Sequence, residues 1–439
     1  MSLIRAALGW PQIAGLGISL VIAGQFTGWN YGLQAGWANL VVATVLMAIL
    51  CFGLALCVAE LSAARPHAGG LYAYCQDAFG RFVGYLVGVA VFIALSIGTG
   101  AAATFISAYC THVLGFGGTW LKLMLFAVIA VVHLRGIGEA MRWMVAAGVL
   151  SVVCIVLFLI GMAPHFSLQN LATPELPLSV TPAGVFSCVP FAIWLFISIE
   201  QSAAASEEVE DPGRAIPRGM LVAIGTLLVS AIGILLLAVG GGGINHLATA
   251  DDPLFAALTS PLAGGASPLL AKVVGVGGML GLVATMFSLV YSASRQLYAL
   301  ARDGHLPAFV GNTNRRSAPY LTIMLVALIG VFAASVSPDR ILLCVVLSLA
   351  ASYVVLLAAF IQQRTAHPNL ARPFRAWGGR ATAAVCLLLA LLVLSASFQS
   401  DPVALGGLGL LFGAALLVHF LYRGTRTRQQ STESGLADV

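Results

Sequence analysis

Long uninterrupted runs of apolar residues, separated by short polar segments, fill most of this 439-residue chain. A helix needs about 20 apolar residues to cross the roughly 30 Å hydrocarbon core of a bilayer, because each residue rises about 1.5 Å. By this measure the pattern predicts twelve membrane-spanning helices. Their approximate bounds are 12–36, 38–62, 82–112, 117–134, 142–162, 184–208, 215–240, 268–298, 319–336, 340–362, 381–398 and 403–422.

The composition excludes a soluble fold, since 60% of the residues are hydrophobic and only 8% are charged. Soluble domains are about 45–50% apolar and about 25% charged. The length fits one transmembrane domain over 1–422, followed by a polar tail over 423–439 that we expect to be disordered and cytoplasmic. The eight cysteines form no C-x-x-C pair and lie mostly in apolar runs, which is typical of packing residues rather than of a disulfide or zinc framework.

The basic residues are distributed unevenly between the two sides of the predicted helices. With the N-terminus in the cytoplasm, 18 of the 21 Lys and Arg residues fall on the cytoplasmic side, and only Lys122, Lys272 and Arg340 on the other. Cytoplasmic loops are enriched in these residues. The asymmetry supports twelve helices, with both termini cytoplasmic in the cell (inner) membrane. It also explains the net charge of +5 without nucleic-acid binding.

The middle of predicted helix 1 carries two glycines, Gly24 and Gly28, around polar residues. Glycine costs a helix about 1 kcal/mol, and a stretch that unwinds at this depth must be surrounded by protein or by a water-filled cavity. The pattern therefore predicts a break in helix 1. The alternative is a continuous helix whose G-x-x-x-G face packs on a neighbour.

Predicted helix 6 carries Pro190 in its first turns and Glu200 near its middle. A carboxylate there costs at least about 2.5–3.5 kcal/mol without partners or water. Glu200 is either a structural group bound to backbone amides at a second break, or a substrate or proton site. Two interrupted helices, the first and the sixth, lie five helices apart in the chain. This spacing predicts an all-α 5+5 inverted repeat of the leucine-transporter type. The repeats would cover about 12–162 and 184–362, with two extra helices at 381–422. The two halves show little direct sequence similarity.

Three motifs in the predicted inner loops carry a resemblance to a known family. The segment 59–74 reads AELSAARPHAGGLYAY, 207–219 reads EEVEDPGRAIPRG, and 294–307 reads SRQLYALARDGHLP. Together they resemble the amino acid–polyamine–organocation superfamily of transporters. Within it, GQFTGWNYGL at 24–33 is similar to the ethanolamine permease group, although Gln25 is neutral where that group often has an acidic residue.

The resemblance implies a secondary transporter that moves a small amine or amino acid by alternating access. The substrate it favours most is one that resembles ethanolamine. A neutral amino acid permease or exchanger is the alternative. Broken helices present amide ends that favour anions, here near 26–28, and carbonyl ends that favour cations, near 22–24 and 196–198. The expected substrate-binding residues are Ile22, Ala23, Gly24, Gln25, Phe26, Thr27, Gly28, Trp29, Trp194, Phe196, Ile197, Ser198, Glu200 and Tyr291.

The side chains at the breaks suggest which solute fits. Gln25 and Phe26 stand where typical amino acid carriers of this superfamily have small residues. Their bulk favours an amine without a carboxylate. Glu200 would then balance the ammonium charge. Trp29 and Trp194 either offer ring faces to the cation or serve as packing aromatics.

Charged residues are expected to form a gate at the cytoplasmic face, with ordinary loop anchoring as the alternative. They are Glu60, Arg65, Glu207, Glu208, Arg295 and Arg302. No cofactor is expected beyond a coupling proton, for which Glu200 is the candidate, and exchange without an ion remains open. Sodium has weaker support, because the hydroxyls of Ser288 and Ser292 would bond their own helix backbone.

Two other classes of protein compete with a transporter. The sequence contains no H-E-x-x-H, G-x-S-x-G or P-loop motif, and its eight histidines do not cluster, which argues against an enzyme. A channel would show flux without saturation or counterflow. The expected partners are a small solute and the lipid bilayer, whereas the direction of transport and the oligomeric state stay open.

Overall fold

The computed structural model describes residues 8–67, 69–136, 138–264, 267–398 and 402–437. Within these ranges, the side chains of 138–143, 404 and 423–437 are not described, and Arg5 lies outside the ranges altogether. The described part of the chain is helical, apart from one isolated parallel bridge between Leu8 and Val209.

Fifteen α-helices make up the described part of the chain. They are α1 (Trp10–Phe26), α2 (Trp37–Ala64), α3 (Leu71–Phe79), α4 (Arg81–Leu114), α5 (Thr119–Arg135), α6 (Gly138–Met162), α7 (Pro182–Ile193), α8 (Pro212–Gly242), α9 (Ile244–Leu247), α10 (Pro253–Thr259), α11 (Pro268–Arg302), α12 (Tyr320–Ala333), α13 (Pro338–Ala366), α14 (Arg380–Ser397) and α15 (Pro402–Ala437). Two longer 3-10 helices, Trp29–Ala35 and Ile199–Glu208, follow α1 and α7.

Each of the twelve predicted segments overlaps a helix, or a helix followed by a 3-10 helix. Eight helices in the described part are long and apolar enough to cross a membrane: α2, α4, α6, α8, α11, α13, α14 and α15. The apolar helices α7 and α12 are shorter. The backbone of α15 continues to Ala437, but disorder in the tail over 423–439 stays a prediction, because the side chains there lie outside the described ones.

The interior of the bundle is built around α1, α4 and α11. Every residue of α1 from Ile13 to Phe26 is buried, and α11 packs against α1, α4 and α6. The outer helices instead expose large apolar side chains, such as Ile160 on α6, Leu388 on α14 and Leu410 on α15. Apolar groups on the outside cost nothing when lipid is the surrounding solvent. All eight cysteines are free, and all except Cys344 are buried.

Candidate functional site

Predicted helix 1 is broken at Thr27 and Gly28, as the glycine pattern predicts. The helix α1 ends at Phe26, Thr27 is extended, and Gly28 has a φ of +92°, which strongly favours glycine. The Gly28 amide donates to Asn30 Oδ1 at 3.1 Å, so the amide released by the break is capped by a side chain. A continuous helix is therefore excluded.

Predicted helix 6 is broken over 194–198. The helix α7 ends at Ile193, and the 3-10 helix begins at Ile199. Between them, Ser198 has a φ of +77°, one of two such non-glycine residues among the described ones. This conformation costs a residue with a side chain about 1–2 kcal/mol, so the surrounding contacts must hold it in place.

The two breaks contact each other directly. A methyl group on Gly24 would fall inside the contact radius of the Trp194 carbonyl oxygen, and one on Gly28 would meet the Trp194 indole. The side chain of Gln25 adds a hydrogen bond, because its Nε2 donates to the Leu195 carbonyl at 2.9 Å. Ser230 Oγ of α8 donates to Gln25 Oε1 at 3.0 Å. Gln25 thus fastens the break after α7 to α1 and α8.

A pocket of about 30 Å³ lies between the two breaks. Space of this size holds one or two waters, so the structure is a closed state without room for a larger guest. Its wall is almost wholly apolar, and comes from α1, α4, α11, α13 and the break after α7. The lining residues are Leu20, Val21, Ala23, Gly24, Ala94, Leu95, Gly98, Ala102, Phe105, Trp194, Ile197, Ser198, Thr285, Leu289 and Val345.

Five of the expected substrate-binding residues line this pocket: Ala23, Gly24, Trp194, Ile197 and Ser198. The others are placed around it but not in its wall. They are Ile22, Gln25, Phe26, Thr27, Gly28, Trp29, Phe196, Glu200 and Tyr291. The Gln25 amide is bonded to neighbouring elements, and the Phe26 ring packs edge-on against Tyr109 with centroids 6.5 Å apart, so the effect of their bulk on substrate choice stays a prediction.

Glu200 is buried away from the pocket wall. Its Oε1 accepts a hydrogen bond from Gln201 Nε2 at 2.9 Å, and its other neighbours are Tyr353 of α13 and Cys51 of α2. Its Oε2 has no hydrogen-bond partner among the described residues. The carboxylate therefore faces the helices behind the break, where it is a poor counter-charge for a guest in the pocket.

Thr285 of α11 is a pocket residue that the sequence reasoning missed. Its hydroxyl donates to the Ser19 carbonyl at 2.7 Å and accepts from the Ala23 amide at 3.2 Å. It therefore joins α11 to α1 just before the break. By contrast, Ser288 Oγ donates to the Ala284 carbonyl of its own helix at 2.8 Å, whereas Ser292 Oγ has no partner among the described residues.

The contribution of α4 was also missed, although the sequence carries a signal for it. Ala94, Gly98 and Ala102 are small residues spaced four apart, so they lie on one face of α4. All three line the pocket. Small residues at this spacing let another helix or a guest approach closely.

The loop between α9 and α10 closes over the segment that follows α1. Thr27 Oγ1 donates to the Asp251 carbonyl at 2.9 Å, and the Tyr31 hydroxyl donates to Asp251 Oδ1 at 2.7 Å. The neighbouring Asp252 lies 2.6 Å from His112 at the end of α4. Burial raises the pKa of the Asp252 carboxyl, against the opposing effect of its bond to His112. These contacts hold the loop over the 3-10 helix after α1.

Two ion pairs, here called the basic face, close the gap between the segment after α7 and α11. Glu208 pairs with Arg295, and both side chains are 9% exposed. Glu207 pairs with Arg302 at 3.1 Å, and these are about one-third exposed. Tyr291 belongs to this closure, since its hydroxyl donates to Glu208 Oε1 at 3.3 Å and its ring lies under Arg295.

The other two residues of the expected gate, Glu60 and Arg65, form ion pairs with other partners. Glu60 accepts from Arg364 at 2.8 and 2.5 Å and from the Ala376 amide at 2.7 Å, and it also contacts Arg372. Arg65 pairs with Asp77 on the nearby helix α3 at 2.6 Å. Glu60 thus joins α2 to α13 and to the segment before α14, apart from the Glu207 and Glu208 ion pairs.

The comparisons with known proteins agree with this geometry. A sequence profile described as amino acid permease matches residues 8–406. The chain belongs to this amino acid permease family. It is therefore a multi-pass membrane transporter, in agreement with the eight apolar helices.

Relatives of this permease include transporters that are named for different substrates. The branched-chain amino acid permease BcaP of Bacillus subtilis is 23% identical over 95% of this chain and 93% of its own length. A methylthioribose transporter of the same organism is 24% identical over 84% of this chain and 81% of its own length. An uncharacterized transporter of Rhizobium meliloti is 26% identical over 78% of this chain and 75% of its own length. They support the superfamily resemblance but not the narrower ethanolamine group.

Proposed function

We propose that this permease is a secondary active transporter that moves a neutral amino acid with a small apolar side chain by alternating access. The observation that carries the proposal is the meeting of two broken helices at a small apolar pocket. The proposal includes twelve spans, a 5+5 inverted repeat, and both termini in the cytoplasm. Helix breaks at the repeat interface are where such transporters bind their substrates.

The polar groups at the breaks favour a zwitterion. The buried indole N–H of Trp194, which lines the pocket, has no hydrogen-bond partner among the described residues, and a substrate carboxylate would satisfy this donor. The carbonyl ends before the breaks favour an ammonium group. The aliphatic wall, which includes Leu95, Leu289 and Val345, suits an apolar side chain. The name of BcaP is consistent with this class.

A small amine such as ethanolamine is the second candidate. Two observations favour it: the small pocket volume, and the lack of a cationic side chain among the described lining residues. The resemblance of 24–33 to ethanolamine permeases points the same way. An amine would use the carbonyl ends alone and leave the Trp194 indole N–H unpaired.

Alternating access requires the two closures to open in turn. Opening the basic face separates Glu208 from Arg295 and Glu207 from Arg302, whereas opening the other side releases Asp251 from Thr27. Glu200 is our candidate for the coupling proton, because one of its buried oxygens has no partner among the described residues. Exchange of one substrate for another needs no such group.

Purified protein in liposomes tests the proposal. We expect saturable uptake of labelled leucine or alanine, counterflow, and competition by neutral amino acids rather than by ethanolamine. Competition by ethanolamine alone would support the second candidate, and unsaturable flux without counterflow would refute a carrier. An inward proton gradient should accelerate uptake in the wild type but not in Glu200→Gln, whose exchange should persist. Equal acceleration in both would remove Glu200 from the coupling step.

A further inference from the structure

Two cavities on the outside of the bundle, here together called the cleft, are both bounded by α8 and by the segment from Pro373 to the first turns of α14. The first is a pocket of about 740 Å³, whose wall includes Arg214, Arg218, Pro373 and Phe374. The Arg214 side chain is 92% exposed, and Asp211 is 3.9 Å away. The Arg218 guanidinium lies over the Trp10 ring at 5.5 Å. This end of the cleft offers two guanidinium groups to an anion.

The second cavity lies farther along α8 and is an apolar groove of about 880 Å³, with Leu228, Ile232 and Val385 in its wall. The two threonines of the wall use their hydroxyls internally, since Thr44 donates to the Leu40 carbonyl at 2.8 Å and Thr382 to the Trp377 carbonyl at 2.6 Å. A polar guest would gain nothing there. Side chains around the groove are exposed and apolar, as expected of a surface that faces lipid.

The two parts of the cleft are in line and match the dimensions of one lipid. Arg218 and Ile232 are both on α8, and fourteen residues of helix span about 21 Å. That distance covers the roughly 15 Å hydrocarbon half of a bilayer and its headgroup layer. Trp377, in the groove wall, is 59% exposed and packs against Phe52, and exposed aromatic residues of membrane proteins are enriched at the membrane–water interface.

We propose that this cleft binds one phospholipid with an anionic headgroup. The phosphate lies against Arg214 and Arg218, because guanidinium groups bind phosphate through paired charged hydrogen bonds, and one acyl chain fills the groove. Phe196, in the break after α7, forms part of the groove wall. The lipid therefore contacts the element whose rearrangement the transport cycle requires. The binding itself does not depend on the proposed substrate.

Fluorescence quenching in liposomes tests this site with the full chain. Brominated phosphatidylglycerol and brominated phosphatidylcholine are each titrated into unbrominated phosphatidylcholine, and the Trp377 contribution is the difference between wild type and Trp377→Phe. We expect quenching at a lower mole fraction of the anionic lipid than of the neutral lipid. In Arg214→Gln/Arg218→Gln the anionic preference should weaken about thirtyfold, which corresponds to about 2 kcal/mol for two basic residues.

Two further variants make the result specific. Arg135→Gln/Arg315→Gln removes two exposed arginines that do not line the cleft and should leave the preference unchanged. Ala381→Phe/Val385→Phe fills the groove from one face of α14 and should abolish quenching by either lipid at Trp377, with native elution. Equal quenching by both lipids in the wild type, or no effect of the arginine pair, would overturn the proposal. So would cross-linking of Val385→Cys between two copies, which would make the cleft a dimer interface.

Discussion

Replacing Glu208 by glutamine removes the carboxylate that pairs with Arg295 while keeping the size of the side chain. In the closed structure both residues are 9% exposed, and Arg295 Nε has no hydrogen-bond partner among the described residues. The variant therefore leaves a buried guanidinium without its carboxylate. Opening of the basic face would bring that guanidinium into water. The substitution should thus shift the equilibrium towards the open form.

The size of the shift follows from the burial of the pair. Removing one partner of a buried ion pair costs about 3–5 kcal/mol. Glu207 is close enough to interact with Arg295 and offsets part of this, so we expect the lower end, about 3 kcal/mol. That is about a 150-fold increase in opening. Glu207→Gln is the matched control, because its pair with Arg302 is about one-third exposed and is worth at most about 1 kcal/mol.

Hydrogen–deuterium exchange measures the opening directly. Peptides covering 199–209 and 291–302 should exchange much faster in Glu208→Gln than in the wild type, and only slightly faster in Glu207→Gln. Adding Arg295→Gln to Glu208→Gln removes the unpaired charge and should restore most of the protection. Equal exchange in the two single variants would refute the reasoning, because burial would then not set the strength of the closure.

Three further predictions concern the pocket and the basic face. Gly24→Ala places a methyl group against a backbone carbonyl of the second break and should lower uptake at least about tenfold. The control is Gly225→Ala, whose added methyl group meets open space and should leave uptake unchanged. Thr285→Val removes the two hydrogen bonds that its hydroxyl makes to α1 and should cost about 1–3 kcal/mol of stability. Thermal unfolding would show this loss against Ser288→Ala, where the loss should be smaller. Burial, and secondly the charge of Arg81, lower the pKa of His305 from 6.5 to about 4. The unfolded chain binds this proton more tightly, so stability should fall by at most about 2 kcal/mol from pH 7 to pH 5, and melting curves of His305→Gln should lack that component.

Much of the helix layout was predictable from the sequence because its causes are local. The thickness of the hydrocarbon core sets the length of each apolar run, and every predicted segment overlaps a helix. The break at Gly28 was predictable because two glycines flank polar residues there. The break after α7 was predictable from Glu200, a charge that an unbroken helix in lipid would not tolerate.

The directions of the site side chains were not predictable in the same way. Helical spacing relates two residues only while the helix continues, and each break removes that relation. Thus Glu200 faces α2 and α13, and Tyr291 faces Glu208, although both had been expected at the pocket. Thr285 showed no sign of its role, since its partner atoms are backbone groups of α1, more than 260 residues away in the chain.

The sequence by itself determined that the chain spans a membrane, where its helices lie, and which two of them break. Only the tertiary structure decided which faces meet at the pocket and which charges pair, such as Glu60 with Arg364 across 304 positions. The physical reason is that lipid is as apolar as the protein interior. A membrane helix therefore needs no polar face, and its hydrophobic pattern does not record which side packs against protein.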